Sequence, residues 1–493
     1  MKRSSFWKIA CMIALLPFLY LGTASATYFY QYHKLGDERG LPMPPPFPAL
    51  HKGQRILIFA PHCDDETLGC AGLMQQAVQL GIPVSVVIIT NGDGFRVGVE
   101  REFRKLHVNR KDFIRFAAIR QHESLTALES LGVKPQNILF LGYPDQGLWA
   151  IWNNHWSNSN PFTSPYTKSD RCPYPVAFED NVPYSGASVL SEIKSVLKDK
   201  RPTDVFVTHP SDDHPDHAAA AAFVTLAMQQ LARNSSYFKK TCLYYYLIHR
   251  GDWPLPQGLR PNHYLVPPVE MDNLDTHWYT LPLTHREIIV KRRAIADYRS
   301  QTTVMARFLY SFDRRNELFG TITPKTAFQC TDNSMLRAVS NQAWLDIKPV
   351  ALDPVNDTLI RDFQPGGDLK SVYAATDRKN LYLRVDTAAT ISKRIRFHIF
   401  IRYFGSASRQ TSGGTLNLFI NPPHDCRPAV DTCDTNKNRL EVTIPLSRLG
   451  YAREIALSVD TSTAGIHIDT IGVRFIYLHR SSHHLASQIA QLH

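Results

Sequence analysis

Between residues 56 and 249, short apolar runs alternate with helical stretches, and no other feature of the sequence restricts the fold as much. The apolar runs fall at 56–60, 84–90, 138–141, 204–209 and 242–249. Helical patterning occupies 67–80, 112–131, 187–197 and 217–232 between them, with a last helix near 283–300. Strands joined through helices return parallel to one another, since tight hairpins would reverse them. The expected domain is therefore α/β, a doubly wound and mostly parallel sheet. Residues 151–184, rich in Asn, Ser, Pro and aromatics, interrupt the alternation and read as a long loop over a site. After about residue 331, helical patterning gives way to short alternating runs separated by turns, which predicts an all-β sandwich. A chain of 493 residues exceeds what one core serves. The expected division is an α/β domain over 51–331 and a β-sandwich with its own core over 332–493.

The segment ahead of the domains reads as an export signal over 1–26. A basic start precedes an apolar stretch, and Ala24-Ser25-Ala26 fits a small-x-small cleavage site. The alternative is an uncleaved membrane anchor, since no charged residue occurs from Ile9 to Tyr32. Residues 27–50 form a Pro-rich linker. Either reading places the domains outside the cytoplasm: in the periplasm, in the cell envelope, or secreted. The net charge of +11 suits anionic polysaccharide or headgroups, or serves only solubility. No Lys/Arg block is interleaved with aromatics, which argues against nucleic acid. Cys426 and Cys433 bracket a short polar loop and form a disulfide candidate. Nothing in the sequence gives the oligomeric state.

Two clusters carry chemistry. His62-Cys63-Asp64-Asp65-Glu66 follows the first apolar run, and His209-Pro210-Ser211-Asp212-Asp213-His214-Pro215-Asp216-His217 follows the fourth. Ligand sites of open α/β sheets lie at the carboxyl ends of strands. A catalytic zinc takes three protein ligands and leaves a position for water. His62 and Asp65 on one turn, with His217 from the distant cluster, supply such a set. Asp64 is then a carboxylate beside the metal that can take a proton from the bound water. His214 can donate to a developing oxyanion or a leaving amine. Asp212 or Asp213 can orient an imidazole. Asp216 is a candidate N-cap for the helix that starts at His217 and, with Asp212, a candidate support behind the metal ligands. These parts describe amide hydrolysis by a zinc-activated water, with another divalent ion as the alternative metal. The rival functions are a zinc hydrolase of another amide or ester, and a glycan-binding protein without turnover.

Pro61-His62-Cys63-Asp64-Asp65-Glu66 and His214-Pro215-Asp216-His217 resemble the two motifs of the PIG-L/LmbE-like family of N-acetylglucosamine deacetylases. The resemblance implies a Rossmann-like, LmbE-like fold and zinc on His62, Asp65 and His217, with Asp64 as base and His214 assisting. It implies removal of an N-acetyl group from an N-acetylated amino sugar, which could belong to a polysaccharide or glycolipid. It extends to 119–123 and 141–148, where Arg120 and Asp145 become candidate substrate contacts. Cys63 and Ala71 depart from the commoner proline and glycine. The sandwich resembles, more weakly, carbohydrate-binding family-9-like domains; Trp344, Tyr373 and Tyr382 could stack on sugar, although at strand spacing such residues are more often core.

Overall fold

A computed structural model describes residues 43–271, 274–330, 344, 347–355, 357, 364–404, 413–421 and 432–478. The expected signal segment, most of the linker and Cys426 of the expected disulfide lie outside the described residues. Among the described residues no helix is long and apolar enough to cross a membrane.

The α/β domain is built on strands β1 (Ile56–Ala60), β2 (Val84–Thr90), β3 (Ile138–Tyr143), β4 (Asp204–Thr208), β5 (Cys242–Tyr246), β6 (Thr276–Pro282) and β7 (Asn316–Ile322). Their order in the sheet is β3-β2-β1-β4-β5-β7-β6. The first five run parallel, while β7 is antiparallel to both β5 and β6. Every residue of β1, β2 and β4 is buried. Helices cover both faces of such strands, so they read as unbroken apolar runs. The antiparallel pair escaped the sequence reading because β6 carries exposed His277 and Pro282 among its buried positions and β7 opens on polar Asn316-Glu317.

The helices are α1 (Asp65–Gln79), α2 (Arg96–Phe103), α3 (Arg110–Ser130), α4 (Leu148–Asn154), α5 (Gly186–Lys200), α6 (Pro215–Asn234), α7 (His285–Asp297) and α8 (Arg299–Leu309). Capping boxes fix two starts: Asn109 with Asp112 at α3, and Thr284 with Glu287 at α7. From β1 the chain winds outward through β2 to β3, then returns to β4 on the other side of β1. The switch point therefore lies between β1 and β4, where an open α/β sheet places its ligand crevice.

The long segment after α4 is packed rather than free. Tyr174 and Tyr184 are buried, with their hydroxyls on Asp93 Oδ2 (2.5 Å) and Gly142 O (3.1 Å). The end of the linker is also part of the fold. Phe47 N–H donates to Thr280 O (2.8 Å), and its ring packs against Tyr244 and Phe319.

The C-terminal region is a sandwich of two sheets. One has the order β10 (Ala351–Leu352), β11 (Leu369–Thr376), β12 (Asn380–Thr387), β16 (Arg439–Pro445), β15 (Thr432–Asn436), with β9 (Phe328–Gln329) on β11. The other runs β14 (Gly414–Ile420), β13 (Ile395–Tyr403), β17 (Glu454–Thr463), β18 (Ile466–Tyr477), β8 (Lys325–Thr326). The chain thus enters the sandwich at Lys325, slightly ahead of the expected boundary. Alternate residues of β13 do different work. Ile395, Phe397, Ile399 and Ile401 fill the core between the sheets, while Phe400 joins Ala456 and Val473 in the core that holds α6. The sandwich therefore keeps a core of its own between the sheets, while the outer face of one sheet packs against the α/β domain. Trp344 and Tyr382 are buried together, and the Arg384 guanidinium lies 4.9 Å from the centre of the Tyr373 ring. This is core packing, not an open aromatic platform.

Candidate active site

β1 ends at Ala60, and α1 begins five residues later. The turn between them is tight because Asp64, its N-cap, has φ 131° and ψ −31°, a conformation that L-residues avoid. Such positions cost about 1–3 kcal/mol and persist where surrounding contacts enforce them. Here Asp64 O accepts from Thr67 N and Leu68 N at 2.9 Å each, and Asp64 N donates to Glu66 Oε2 at 3.2 Å. Glu66 is held by the Tyr298 hydroxyl. The Asp64 carboxylate makes no capping bond, unlike most N-cap aspartates.

Three donor atoms converge across the switch point. His62 Nδ1 lies 3.2 Å from Asp65 Oδ2 and 3.0 Å from His217 Nε2, and His217 Nε2 lies 3.1 Å from Asp65 Oδ2. With metal–ligand bonds of about 2.0–2.1 Å, the edge of a tetrahedron is about 3.3 Å. The triangle closely matches one face of that polyhedron. Two imidazole nitrogens 3.0 Å apart, both buried, need a proton or a cation between them. The residues present therefore fit a tetrahedral divalent ion.

Carboxylates behind the rings set their orientation. Asp212 Oδ2 is 3.1 Å from His217 Nδ1 and also accepts from Ile248 N and His249 N at 3.0 Å. Asp145 Oδ1 is 3.1 Å from His62 Nε2. This is the carboxylate–histidine arrangement that fixes ligand tautomers at metal sites. Burial opposes charge on His217, but Asp212 and Asp65 outweigh it and raise its pKa to about 9. Burial also opposes charge on Asp145, yet His62 and Arg120 hold its carboxyl down at about 2.

Asp64 and His214 flank the triangle. Burial lifts the Asp64 pKa to about 8, against the pull of Arg120, whose Nη2 lies 3.5 Å from Asp64 Oδ2. His214 is the N-cap of α6, and its Nδ1 accepts from Asp216 N at 3.2 Å. The neutral ring therefore carries its proton on Nε2. Burial and the nearby His62 and His217 lower its pKa to about 2, so it is neutral at ordinary pH. Its ring centre is 4.6 Å from that of His62.

Four of the expected residues have protein partners of their own. Arg120, expected to meet substrate, is 3% exposed and donates to Gly92 O (3.1 Å) and Cys63 O (2.5 Å). It braces the turn that carries Asp64. Asp145, the other expected substrate contact, uses its carboxylate on His62 and on Gly94 N (3.0 Å). Asp216 is not the N-cap; the helix starts two residues earlier than the sequence suggests. From the first turn its carboxylate accepts from Gln146 N (2.6 Å) and Leu148 N (2.9 Å), tying the β3–α4 loop to α6, and its Oδ2 lies 3.5 Å from His62 Nε2, behind that ring. Asp213 faces Arg250 at 2.9 Å instead of an imidazole.

His249 was not foreseen. It lies just beyond β5, stacked on Phe308, with its ring 5.0 Å from His217. One of its nitrogens is within 4.8 Å of donor atoms of Asp65 and His217. The only sequence signal was its place at the end of the fifth apolar run. His209, by contrast, is buried against Trp278 and bonded to Thr276 Oγ1 at 3.0 Å, away from the triangle.

Residues 57–228 match the family described as PIG-L: GlcNAc-PI de-N-acetylase. A curated relative, 1D-myo-inositol 2-acetamido-2-deoxy-alpha-D-glucopyranoside deacetylase of Corynebacterium urealyticum, is 28% identical over 181 residues, 36% of this chain and 48% of the relative. The chain thus spans about half the length of that relative. Among solved structures, N,N'-diacetylchitobiose deacetylase from Pyrococcus horikoshii is 19% identical at a TM-score of 0.33, over 54% of this chain and 82% of that one. A zinc-inhibited form of teicoplanin deacetylase is 18% identical at a TM-score of 0.35, over 54% and 97%.

Proposed function

We propose that this chain, whose residues 57–228 match the PIG-L family, is a PIG-L/LmbE-like zinc-dependent de-N-acetylase of an N-acetylglucosamine-type sugar or glycoconjugate. The observation that carries this reading is the His62–Asp65–His217 triangle with a carboxylate that makes no capping bond and a neutral histidine on its rim.

A divalent ion held by the three residues supplies Lewis acidity and a water of lowered pKa. The remaining work falls to side chains of this chain. Asp64 accepts the proton of the attacking water; a divalent ion held by the triad would favour its carboxylate form over the burial that otherwise lifts its pKa. His214 donates its Nε2 proton towards the carbonyl oxygen as charge develops there. The leaving amine then takes the proton held by Asp64, and acetate departs. Asp145 and Asp212 keep the two imidazoles in register throughout.

The proposal includes export, on the N-terminal pattern alone, with an anchor as the only membrane link. It also includes a supporting role for the sandwich on a larger glycan. Acetate release measured across N-acetylglucosamine conjugates, chitin oligomers and peptidoglycan fragments tests the reading. At least one such substrate should lose acetate in a metal-dependent way. Release from simple esters or unrelated amides, and from none of these sugars, would overturn it.

A further inference from the structure

A second group of carboxylates lies at the seam between the sandwich and the α/β domain. Asp353 follows β10, Asp469 is on β18, and Asp357 lies four residues beyond Asp353; oxygens of the three lie within 4.8 Å of one another. Asp353 is 7% exposed, and its Oδ2 has no hydrogen-bond partner. Asp469 is positioned by backbone, accepting from Leu369 N (2.7 Å) and Thr470 N (2.8 Å). Asp357 accepts from Arg250 Nη2, while its Oδ1 is buried without a partner.

Among the described residues, positive charge does not balance this group. Arg250 is divided between Asp357 and Asp213 Oδ1, the latter at 2.9 Å. Arg474 donates to Ser211 Oγ at 2.7 Å. Burial, together with the neighbouring Asp469 and Asp357, pushes the Asp353 carboxyl well above its ordinary range. A buried carboxylate without a partner is costly unless it is protonated or meets a cation.

We propose that Asp353, Asp357 and Asp469 form a second cation site for a hard divalent ion of the calcium or magnesium kind. The donors are all carboxylate oxygens, which suit such ions, whereas zinc-type ions favour nitrogen and sulfur. Calcium takes oxygens at about 2.3–2.6 Å in flexible geometry, so oxygens within 4.8 Å of one another can share one ion. The site is linked to the active-site loop. Arg250 joins Asp357 to Asp213, the neighbour of His214 in the chain. On the same loop, Gly472 of β18 meets Pro210 so closely that an added Cβ would lie 2.0 Å from Pro210 O.

The test uses full-length protein, stripped of metal and then reloaded with one equivalent of zinc. CaCl2 and MgCl2 are titrated separately, with ion uptake followed by calorimetry and stability by the melting temperature. The wild type should take up about one further ion per chain and melt several degrees higher. The ion that gives the larger shift identifies which one the site prefers. Asp353→Asn and Asp469→Asn should lose both responses. In ion-free buffer Asp353→Asn should melt at or above the wild type, because a buried carboxyl among like charges is gone, and below it when the ion is present. If one variant fails to fold, the other carries the same comparison. Absence of uptake and of a thermal shift with both ions in the wild type overturns the proposal. So does an undiminished response in a folded variant.

Discussion

Asp64 and Asp65 are adjacent and chemically alike, and one backbone angle gives them different surroundings. The positive φ of Asp64 turns its carboxylate towards Arg120, while Asp65 begins the helix and points at two imidazoles. The same logic holds one layer out, where Asp212 gathers His217 and the backbone of Ile248 and His249. Asp212→Asn should keep the fold but lower metal affinity about 10–100-fold, the usual cost of losing such a support. Competition with a chromophoric chelator measures this; unchanged affinity would separate Asp212 from the metal. The candidate ligands were legible in the sequence because two short motifs place His and Asp at strand ends. The partners of Arg120 and Asp145 were not, because both reach residues far along the chain. His249 belongs to no motif, so only the sheet could reveal it.

At the scale of elements, the β1–α1 turn is fixed from several sides. Gly92, at φ +61°, leaves room for Arg120: an added Cβ would lie 1.6 Å from its Nη1. Buried strands were legible as apolar runs, and helix starts as capping signals. The antiparallel edge pair was not, since its alternation is broken by polar residues. Between β3 and α5, Tyr143 donates to Glu192, which is 1% exposed. Burial raises the Glu192 pKa from 4.5 to about 8. The folded state therefore holds this proton more tightly than the unfolded chain does. The associated stability is present in full below about pH 4.5 and is lost as pH rises to about 8. Glu192→Gln should remove that dependence. Melting temperatures of both proteins from pH 5 to 8 should show the wild type falling relative to the variant. Parallel curves would mean that Glu192 is charged in the fold.

In the whole molecule, the sequence suggested a separate core for the sandwich; the structure has one between its two sheets and also packs the outer face of one sheet against the α/β domain. Phe400, Ala456 and Val473 of the sandwich pack into the cluster that holds α6, which begins beside His214 and His217. Arg402 reaches across to Trp152 O and lies 3.9 Å from the centre of the Trp156 ring. Alternating strand patterns could not show this, because an outward face reads alike whether water or another domain covers it. A chain ending at residue 324 should be insoluble or melt well below the full protein, which should itself unfold in one transition. Two separate transitions, with an unshifted melt for the short chain, would show that the domains are uncoupled. The central claim is that Asp65 holds a metal while Asp64 moves a proton, and metal content measured alongside acetate release tests it most directly. Asp64→Asn should keep one zinc-type ion per chain and lose about 10²–10⁴ in turnover, the scale of general acid–base catalysis. Asp65→Asn should bind the ion weakly and regain part of its activity when zinc is added. Loss of metal in Asp64→Asn with full retention in Asp65→Asn would contradict the account.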